Sequence, residues 1–300
     1  MMRVMIACIH YPVASGRYIR DAFKRLGCDV RTVGYSTGNV VWGMAVDDRY
    51  IWQPDGDLTA YWPDWTPDLV VIAESAWAYH SPMYPAVPHV VWGVDNHVRD
   101  YRQAGVARYF LAHRAVSLMP MDAPDTEWLP CGYDPQWFTP SPIPWAERAY
   151  DVALIGALYP KRAELLTALG KAGLKVAGGM GLLYGQYRDL YWNARVSLCA
   201  SAAGDVAMRI FETAAMGCAV LSDPLSDLEA LEAEGITCYE STEDAVRLAQ
   251  LLVKEETAAR AAQAWAAPQT WDARARRVIA WWRETCAPDV TREVMNDADA

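Results

Sequence analysis

The 300-residue sequence contains no apolar run of membrane-spanning length. Its opening, MMRVMIACIHYP, is too short and too soon interrupted to read as a secretory leader. The five histidines show neither HxxxH nor HExxH spacing, so a zinc site is not expected. No GxGxxG follows the first apolar run, which argues against a dinucleotide oxidoreductase, and no GxxxxGK[ST] occurs, which excludes an ordinary P-loop kinase. The cysteines (8, 28, 131, 199, 218, 238 and 286) form no CxxC and are odd in number. They suggest neither a disulfide framework nor a zinc ribbon, and a reducing, cytoplasmic compartment is expected. Positive charge is scarce: 27 Lys and Arg against 37 Asp and Glu leave a net charge of −10. A broad surface for nucleic acid or anionic lipid is therefore disfavoured, although a local basic cleft is compatible with the total. Phenylalanine is also rare, with 4 residues against 14 Trp and 16 Tyr. Rings with a polar handle suit stacking on sugars and bases, while the simpler use of each is to fill a core.

What is present is abundant apolar sequence, 53% of residues, in a chain long enough for two domains of ordinary size. Arg3 to Ile9 is a continuous apolar run of the kind that forms a strand buried on both faces; a helix through Leu26 and a strand over Cys28 to Val33 complete a βαβ opening. Asp68 to Ala73 and His89 to Val94 are two more buried strands. Prolines 130, 135, 140, 142 and 144 mark a linker. Beyond it strands and helices alternate: strands at 151–155, 174–177, 196–199, 218–222 and 236–239; helices at 161–172, 184–193, 205–216, 225–234 and 242–253; then helices at 255–266 and 271–285 before an acidic tail. Such alternation predicts an α/β protein with parallel, doubly wound sheets. The expected division is residues 1–145, 146–270, and a C-terminal helix with tail, 271–300, that crosses back to the first domain. Two Rossmann-like domains so joined enclose a cleft at the carboxyl ends of both sheets, where ligands of open α/β sheets bind.

The most informative stretch is Ser201 to Asp223, SAAGDVAMRIFETAAMGCAVLSD. Gly204 ends a strand-to-helix loop and Asp205 is placed to cap the helix. Arg209 and Glu212 lie four and seven residues further on, near the same helical face. Free N–H groups and the helix dipole favour an anion there, an arginine can pair with a pyrophosphate, and a carboxylate can accept from two ribose hydroxyls. The plain alternative is an i,i+3 ion pair on an ordinary helix surface.

Arg209-Ile210-Phe211-Glu212 followed by Ala215-Met216-Gly217 resembles the C-terminal signature of GT-B glycosyltransferases, closest to the spore-maturation CgeB-like group. Leu129-Pro130-Cys131-Gly132-Tyr133-Asp134 with Phe138 and Pro140, then Tyr150 to Arg162, Tyr239 to Glu243 and Thr270-Trp271, resemble further family segments in the same order. The likeness covers about residues 128 to 283. It implies two facing Rossmann-like domains, an N-terminal one for the acceptor and a C-terminal one for a nucleotide diphosphate sugar, UDP-linked by preference. Glu212 would hold the ribose; Arg209 with Lys161 or Arg162 would neutralise the leaving diphosphate; Gly156 would let backbone approach it. No cofactor or metal is implied beyond the donor. Many members carry a second carboxylate eight residues before the ribose glutamate, and here that position is Gly204 with Asp205 beside it. Gln269 before Thr270-Trp271 is a second departure. A base for an acceptor hydroxyl should come from the first domain, where Asp95, His97 and His10 end apolar runs, although turn-capping and structural roles suit the same residues. The acceptor is open among glycan, small molecule, protein and hydroxylated DNA base. A non-catalytic nucleotide-sugar-binding scaffold is the alternative from another class.

Two competing patterns are weaker. Gly34-Tyr35-Ser36-Thr37-Gly38 matches a hydrolase elbow, but the β-branched run after it is not a helix start. Asp55-Gly56-Asp57 matches a metal-binding DxD but reads more simply as a turn.

Overall fold

A computed structural model describes residues 1–8, 14–33, 64–73, 84, 86–182 and 184–286. His10, Ser36, Asp55 and Asp57 lie outside the described residues. Two parallel sheets organise the chain. The first contains β1 (Arg3–Cys8), β2 (Asp29–Val33), β3 (Leu69–Ala73), β4 (His89–Gly93), β5 (Arg108–Leu111) and β6 (Thr126–Trp128), in the order β2-β1-β3-β4-β5-β6. The second contains β7 (Tyr150–Ile155), β8 (Val176–Gly179), β9 (Ala194–Cys199), β10 (Ala219–Ser222) and β11 (Ile236–Cys238), in the order β11-β10-β9-β7-β8. In each sheet the winding reverses once, beside its first strand: between β1 and β3, and between β7 and β9. Parallel strands need long crossovers, and helices supply five of them: α1 (Ser15–Arg25) between β1 and β2, and α2 (Pro160–Lys171), α3 (Tyr184–Trp192), α4 (Met208–Ala215) and α5 (Ser226–Ala230) between the strands of the second sheet; α6 (Thr242–Leu252) follows the last strand. Two more, α7 (Thr257–Ala266) and α8 (Trp271–Thr285), close the fold.

The continuous apolar runs are explained by burial on both faces. Val4, Ile6 and Cys8 join one cluster while Met5 and Ala7 join another across β1. The same division places Ala153 and Ile155 of β7 opposite Val152 and Leu154. The largest cluster runs through both halves of the chain without a break. Trp92 of β4 meets Trp271 of α8 with ring centroids 5.7 Å apart, Trp271 stacks on Tyr18 of α1 at 6.4 Å, and Tyr18 meets Phe138 at 6.0 Å. Phe138 continues to Tyr187 of α3 at 5.8 Å.

The helix α8 returns to the first sheet. Thr270 caps it by accepting from the Ala273 N–H at 3.1 Å. Its apolar stripe, Trp271, Ala275, Val278, Ile279 and Trp282, is buried. The Trp282 indole donates to the Asp68 carbonyl at 2.9 Å, and Arg277 forks onto Glu127 of β6 at 2.6 and 2.8 Å. Where α8 begins, the two connections between the sheets touch. Tyr133 N–H donates to Gln269 O, and Trp271 N–H donates to Tyr133 O, both at 3.0 Å. A Cβ on Gly132 would sit 2.8–2.9 Å from backbone atoms of Gln269, Thr270 and Trp271, so only glycine permits this crossing. Arg25 secures it from α1, donating to Asp272 at 2.6 Å and to fully buried Asp134 at 3.1 Å.

Strands β5 and β6 are not among the expected elements, β8 lies two residues beyond its expected place, and two helices differ in extent. The helix expected at 225–234 is only Ser226–Ala230, because Glu232 adopts a left-handed φ of 47° that a helix cannot contain. The helix expected from Asp205 starts at Met208 with Ala207 as its cap residue, so Asp205 is not its N-cap.

Candidate functional site

The carboxyl ends of β7 and β9, where the second sheet reverses its winding, gather four of the expected donor residues. Gly156 ends β7 with φ +135°, a conformation that side chains rarely adopt. A Cβ there would lie 2.7 Å from Arg209 Nη2 and 3.6 Å from Arg162 Nη1. Gly156 is therefore what allows two guanidinium groups to flank one backbone position. Arg162 is buried and braced: Nε donates to Ala200 O at 2.8 Å and Nη1 to Ala157 O at 3.0 Å. Burial, then the like charge of Arg209, lowers its pKa, although a guanidinium stays charged throughout the working range. Arg209 reaches the same point from the first turn of α4, and its Nε is buried without a hydrogen-bond partner in the described structure. Two adjacent cations, one with an idle buried donor, form an arrangement that an anion would satisfy.

One turn further along α4, Glu212 is 6% exposed. It forms no ion pair with Arg209 among the described contacts; its Oε2 instead accepts from the Tyr187 hydroxyl at 2.7 Å. Burial raises the Glu212 carboxyl to about 7, against the lowering influence of the Tyr187 bond and of Arg209, with Asp134 raising it further. The i,i+3 surface-pair alternative therefore does not describe this helix. Tyr187 carried no sequence signal beyond its place in an aromatic-rich helix, where core filling is the ordinary expectation.

Lys161 is placed differently. Its ammonium pairs with Asp223, whose other oxygen accepts from Ser201 N–H at 2.5 Å. Of the two basic residues expected in the β7–α2 loop, Arg162 stands beside Arg209, and Lys161 is held against the end of β10.

Gly204 and Asp205 lie where the two halves meet. Gly204 has φ +82°, and a Cβ on it would be 3.3 Å from Val116 Cγ1 of the first half. The Asp205 carboxylate accepts from the Ser201 hydroxyl at 2.6 Å, and the same hydroxyl accepts from the Asp205 N–H at 3.0 Å. This closed loop is why Asp205 does not cap α4. Burial alone would raise the Asp205 carboxyl; the Ser201 bond and the His97 and His113 imidazoles outweigh it and hold the group below its ordinary value.

Those imidazoles face the second half from the first. His97 follows β4 and His113 follows β5, and their rings meet edge to face with centroids 4.8 Å apart. Asn96 fixes the pair: its Nδ2 donates to His113 O at 2.6 Å, and its Oδ1 accepts from His113 N–H at 2.9 Å. Burial, then the like charge of His97, lowers the pKa of His113, against the raising influence of Asp205 and Asp227. Asp95 turns the chain toward His97, its carbonyl accepting from the Val98 and Arg99 N–H groups at 2.9 Å. Beside them, buried Asp227 of α5 accepts from the N–H groups of Arg114 and Ala115 at 2.8 and 2.9 Å, a direct bond between the halves. His113 escaped sequence reasoning because β5 is only four residues long, and Asn96 and Asp227 because their partners lie 17 and 112–113 positions away in the chain. Among the described residues no group of three or more His, Cys, Asp or Glu side chains could hold a metal ion, and no helix is long and apolar enough to cross a membrane.

With this geometry in place, residues 143–280 match the family model described as glycosyl transferase-like. No curated protein matches the chain. Among solved structures the chain is similar to AviGT4, a glycosyltransferase involved in avilamycin A biosynthesis (TM-score 0.69, 15% identity, 94% of this chain and 97% of that one). It is similar to an α-glucosyltransferase in complex with UDP and a 13-mer DNA containing an A:G mismatch (TM-score 0.63, 11% identity, 90% and 96%). It is also similar to a UDP-N-acetylglucosamine 2-epimerase (TM-score 0.51, 11% identity, 93% and 94%). At these identities the likeness establishes the fold, the GT-B arrangement of two Rossmann-like units. Together with the family match it supports the GT-B glycosyltransferase class and sugar transfer in general.

Proposed function

From a glycosyltransferase-like second half set in a GT-B fold, we propose that this chain moves a sugar from a nucleoside diphosphate sugar to an acceptor hydroxyl. The observation that carries the reading is the convergence of Arg209 and Arg162 on Gly156, with the buried Glu212 carboxylate one helical turn away. That spacing suits a nucleotide whose diphosphate meets the guanidiniums while its ribose hydroxyls meet Glu212. UDP is the nucleotide favoured by the UDP-bound neighbour. The CgeB-like group remains the subfamily suggested by the RIFE segment. Residues 1–145 would hold the acceptor, residues 146–270 the donor, and residues 271–300 the return to the first domain.

In the transfer, an acceptor oxygen bonds to the anomeric carbon as the bond from that carbon to the diphosphate breaks, the electron pair leaving with the phosphate oxygen. Arg209 and Arg162 stabilise the charge that develops there, the service that fixed cations in a low-dielectric site perform best. Lys161, paired with Asp223, is a second-rank contributor. No resident metal is needed for this step, since guanidinium groups supply the positive charge. The acceptor proton passes to a base on the first half: His97 is the leading choice, its ring against His113 and its charge acting on Asp205, with Asp95 the alternative among the described residues; His10, the third candidate, lies outside them. With Gly204 left-handed at the meeting of the halves, Asp205, on which both histidines act, is the acidic group we assign to contact with the donor sugar.

The net charge of −10 favours a sugar or small-molecule hydroxyl over a hydroxylated DNA base. The assay is incubation with UDP-glucose, UDP-N-acetylglucosamine and GDP-mannose. Slow release of nucleoside diphosphate, lost in Arg209→Ala, supports the transferase. Epimerised nucleotide sugar would transfer the reading to an epimerase, and binding without turnover would leave a scaffold.

A further inference from the structure

Sequence gives Tyr187 no role, yet its hydroxyl lies 2.7 Å from Glu212 Oε2 and is the one hydrogen-bond partner of that carboxylate among the described residues. Resting on the reading of Glu212 as the ribose-binding group, we propose that Tyr187 is a positioning residue: it fixes one carboxylate oxygen in place and leaves Oε1, which has no described partner, to accept from the ribose hydroxyls.

Three features support this. A buried carboxylate with no donor would take up a proton and turn from a pure acceptor into a donor, the wrong partner for a hydroxyl pair. The Tyr187 bond opposes that change, and it comes from a rigid source. The ring is held edge to face by Phe138 at 5.8 Å and by Tyr191 at 4.9 Å, and Tyr191 is itself anchored by accepting from Ile155 N–H at 3.1 Å. Ile155 immediately precedes Gly156, so one short chain of contacts ties the orientation of the ribose acceptor to the position where the two arginines converge. The groups facing Glu212 are then Tyr187 from α3, Arg209 on its own helix and Asp134 from the linker. Of these, Tyr187 alone hydrogen-bonds to the carboxylate.

The fixed orientation also has a specificity consequence. Oε1 is the principal acceptor for the 2′- and 3′-hydroxyls, so removal of one forfeits a bond that Oε2, already accepting from Tyr187, is less free to replace. The site should discriminate against 2′-deoxynucleotides.

The test is calorimetric titration of UDP, GDP and ADP, and of the 2′-deoxy form of whichever binds, into wild type, Tyr187→Phe and Glu212→Gln between pH 6 and 9. Wild type should bind more tightly as pH rises through the Glu212 transition and should prefer the ribonucleotide. Tyr187→Phe should move that transition upward, weakening binding about tenfold at pH 7 and much less at pH 9. Phenylalanine keeps the ring contacts, and an unchanged melting temperature would separate positioning from folding. A loss in Tyr187→Phe equal at every pH, or none at all, overturns the proposal while a binding loss in Glu212→Gln keeps the ribose reading. Full binding by Glu212→Gln, or no nucleotide bound by wild type, overturns both.

Discussion

Glu212→Gln should make the empty protein more stable and at the same time useless to its nucleotide. The carboxyl titrates at about 7 in the folded chain, pushed up first by burial, against an ordinary value of 4.5. A folded value above the unfolded one means that the native state holds the proton more tightly. The Glu212 contribution is therefore most favourable below pH 4.5, declines as pH rises toward 7, and above 7 carries the whole penalty, about 3 kcal/mol. Glutamine keeps the shape of the protonated acid and an oxygen for Tyr187, but never ionises. Its advantage over wild type should be under about 1 kcal/mol at pH 5 and about 3 kcal/mol at pH 8, a divergence of several degrees in melting temperature. Melting curves of both proteins at pH 5 and pH 8, with and without UDP, read this directly. At a hundred times its dissociation constant, UDP adds about 2.7 kcal/mol to wild type and should add little to the variant, cancelling most of the variant's lead at pH 8. Parallel pH profiles for the two proteins would refute the claim that an unwelcome charge is buried at this position. An undiminished UDP shift in the variant would refute the ribose assignment.

Other substitutions probe other parts of the site. Arg209→Ala should lower turnover by about 10²–10³-fold with folding intact, measured as donor hydrolysis, because it removes a donor aimed at the departing phosphate. Gly132→Ala would drive a methyl into three backbone atoms of the second connection, and denaturant unfolding should show a loss of about 1–3 kcal/mol. Asp227→Ala strands the buried N–H groups of Arg114 and Ala115; we expect a similar loss, with faster amide exchange confined at first to residues 113–116. Asp205 has the opposite linkage to Glu212: its folded value is depressed, so the stability it adds is complete at neutral pH and disappears as pH falls through that value. Asp205→Asn should flatten the acid limb of the stability profile below about pH 4.

Much of the architecture was legible because parallel strands buried on both faces announce themselves as unbroken apolar runs, as in RVMIAC and DVALI. Strands β5 and β6 passed unnoticed. RYFL and TEW are too short to stand out, and they become strands only because β4 offers an edge on which to pair. The boundary of α4 was misjudged for a local reason: Asp205 has the chemistry of a cap, but the Ser201 hydroxyl bonds to both its carboxylate and its N–H and defers the helix by three residues. The site was legible to the extent that helical spacing carries it. Arg209 and Glu212 could be placed on one face from their numbers alone. What periodicity cannot reveal is that Arg162 arrives from another helix at the same glycine, that Tyr187 supplies the partner of Glu212, or that Lys161 is turned away to Asp223. Those are tertiary contacts between segments 25 to 62 positions apart, and no local pattern encodes them.

The crossing at Gly132 acts as a rivet. Both connections between the halves pass through it, and the Tyr133–Thr270 contact with the Arg25 bonds to Asp134 and Asp272 pins them there. Two blades fastened at one point can scissor, but they cannot slide past each other or come apart. A second fastening, the Arg114 and Ala115 N–H bonds to Asp227, lies away from the rivet, so any scissoring of the halves would have to break those two bonds first.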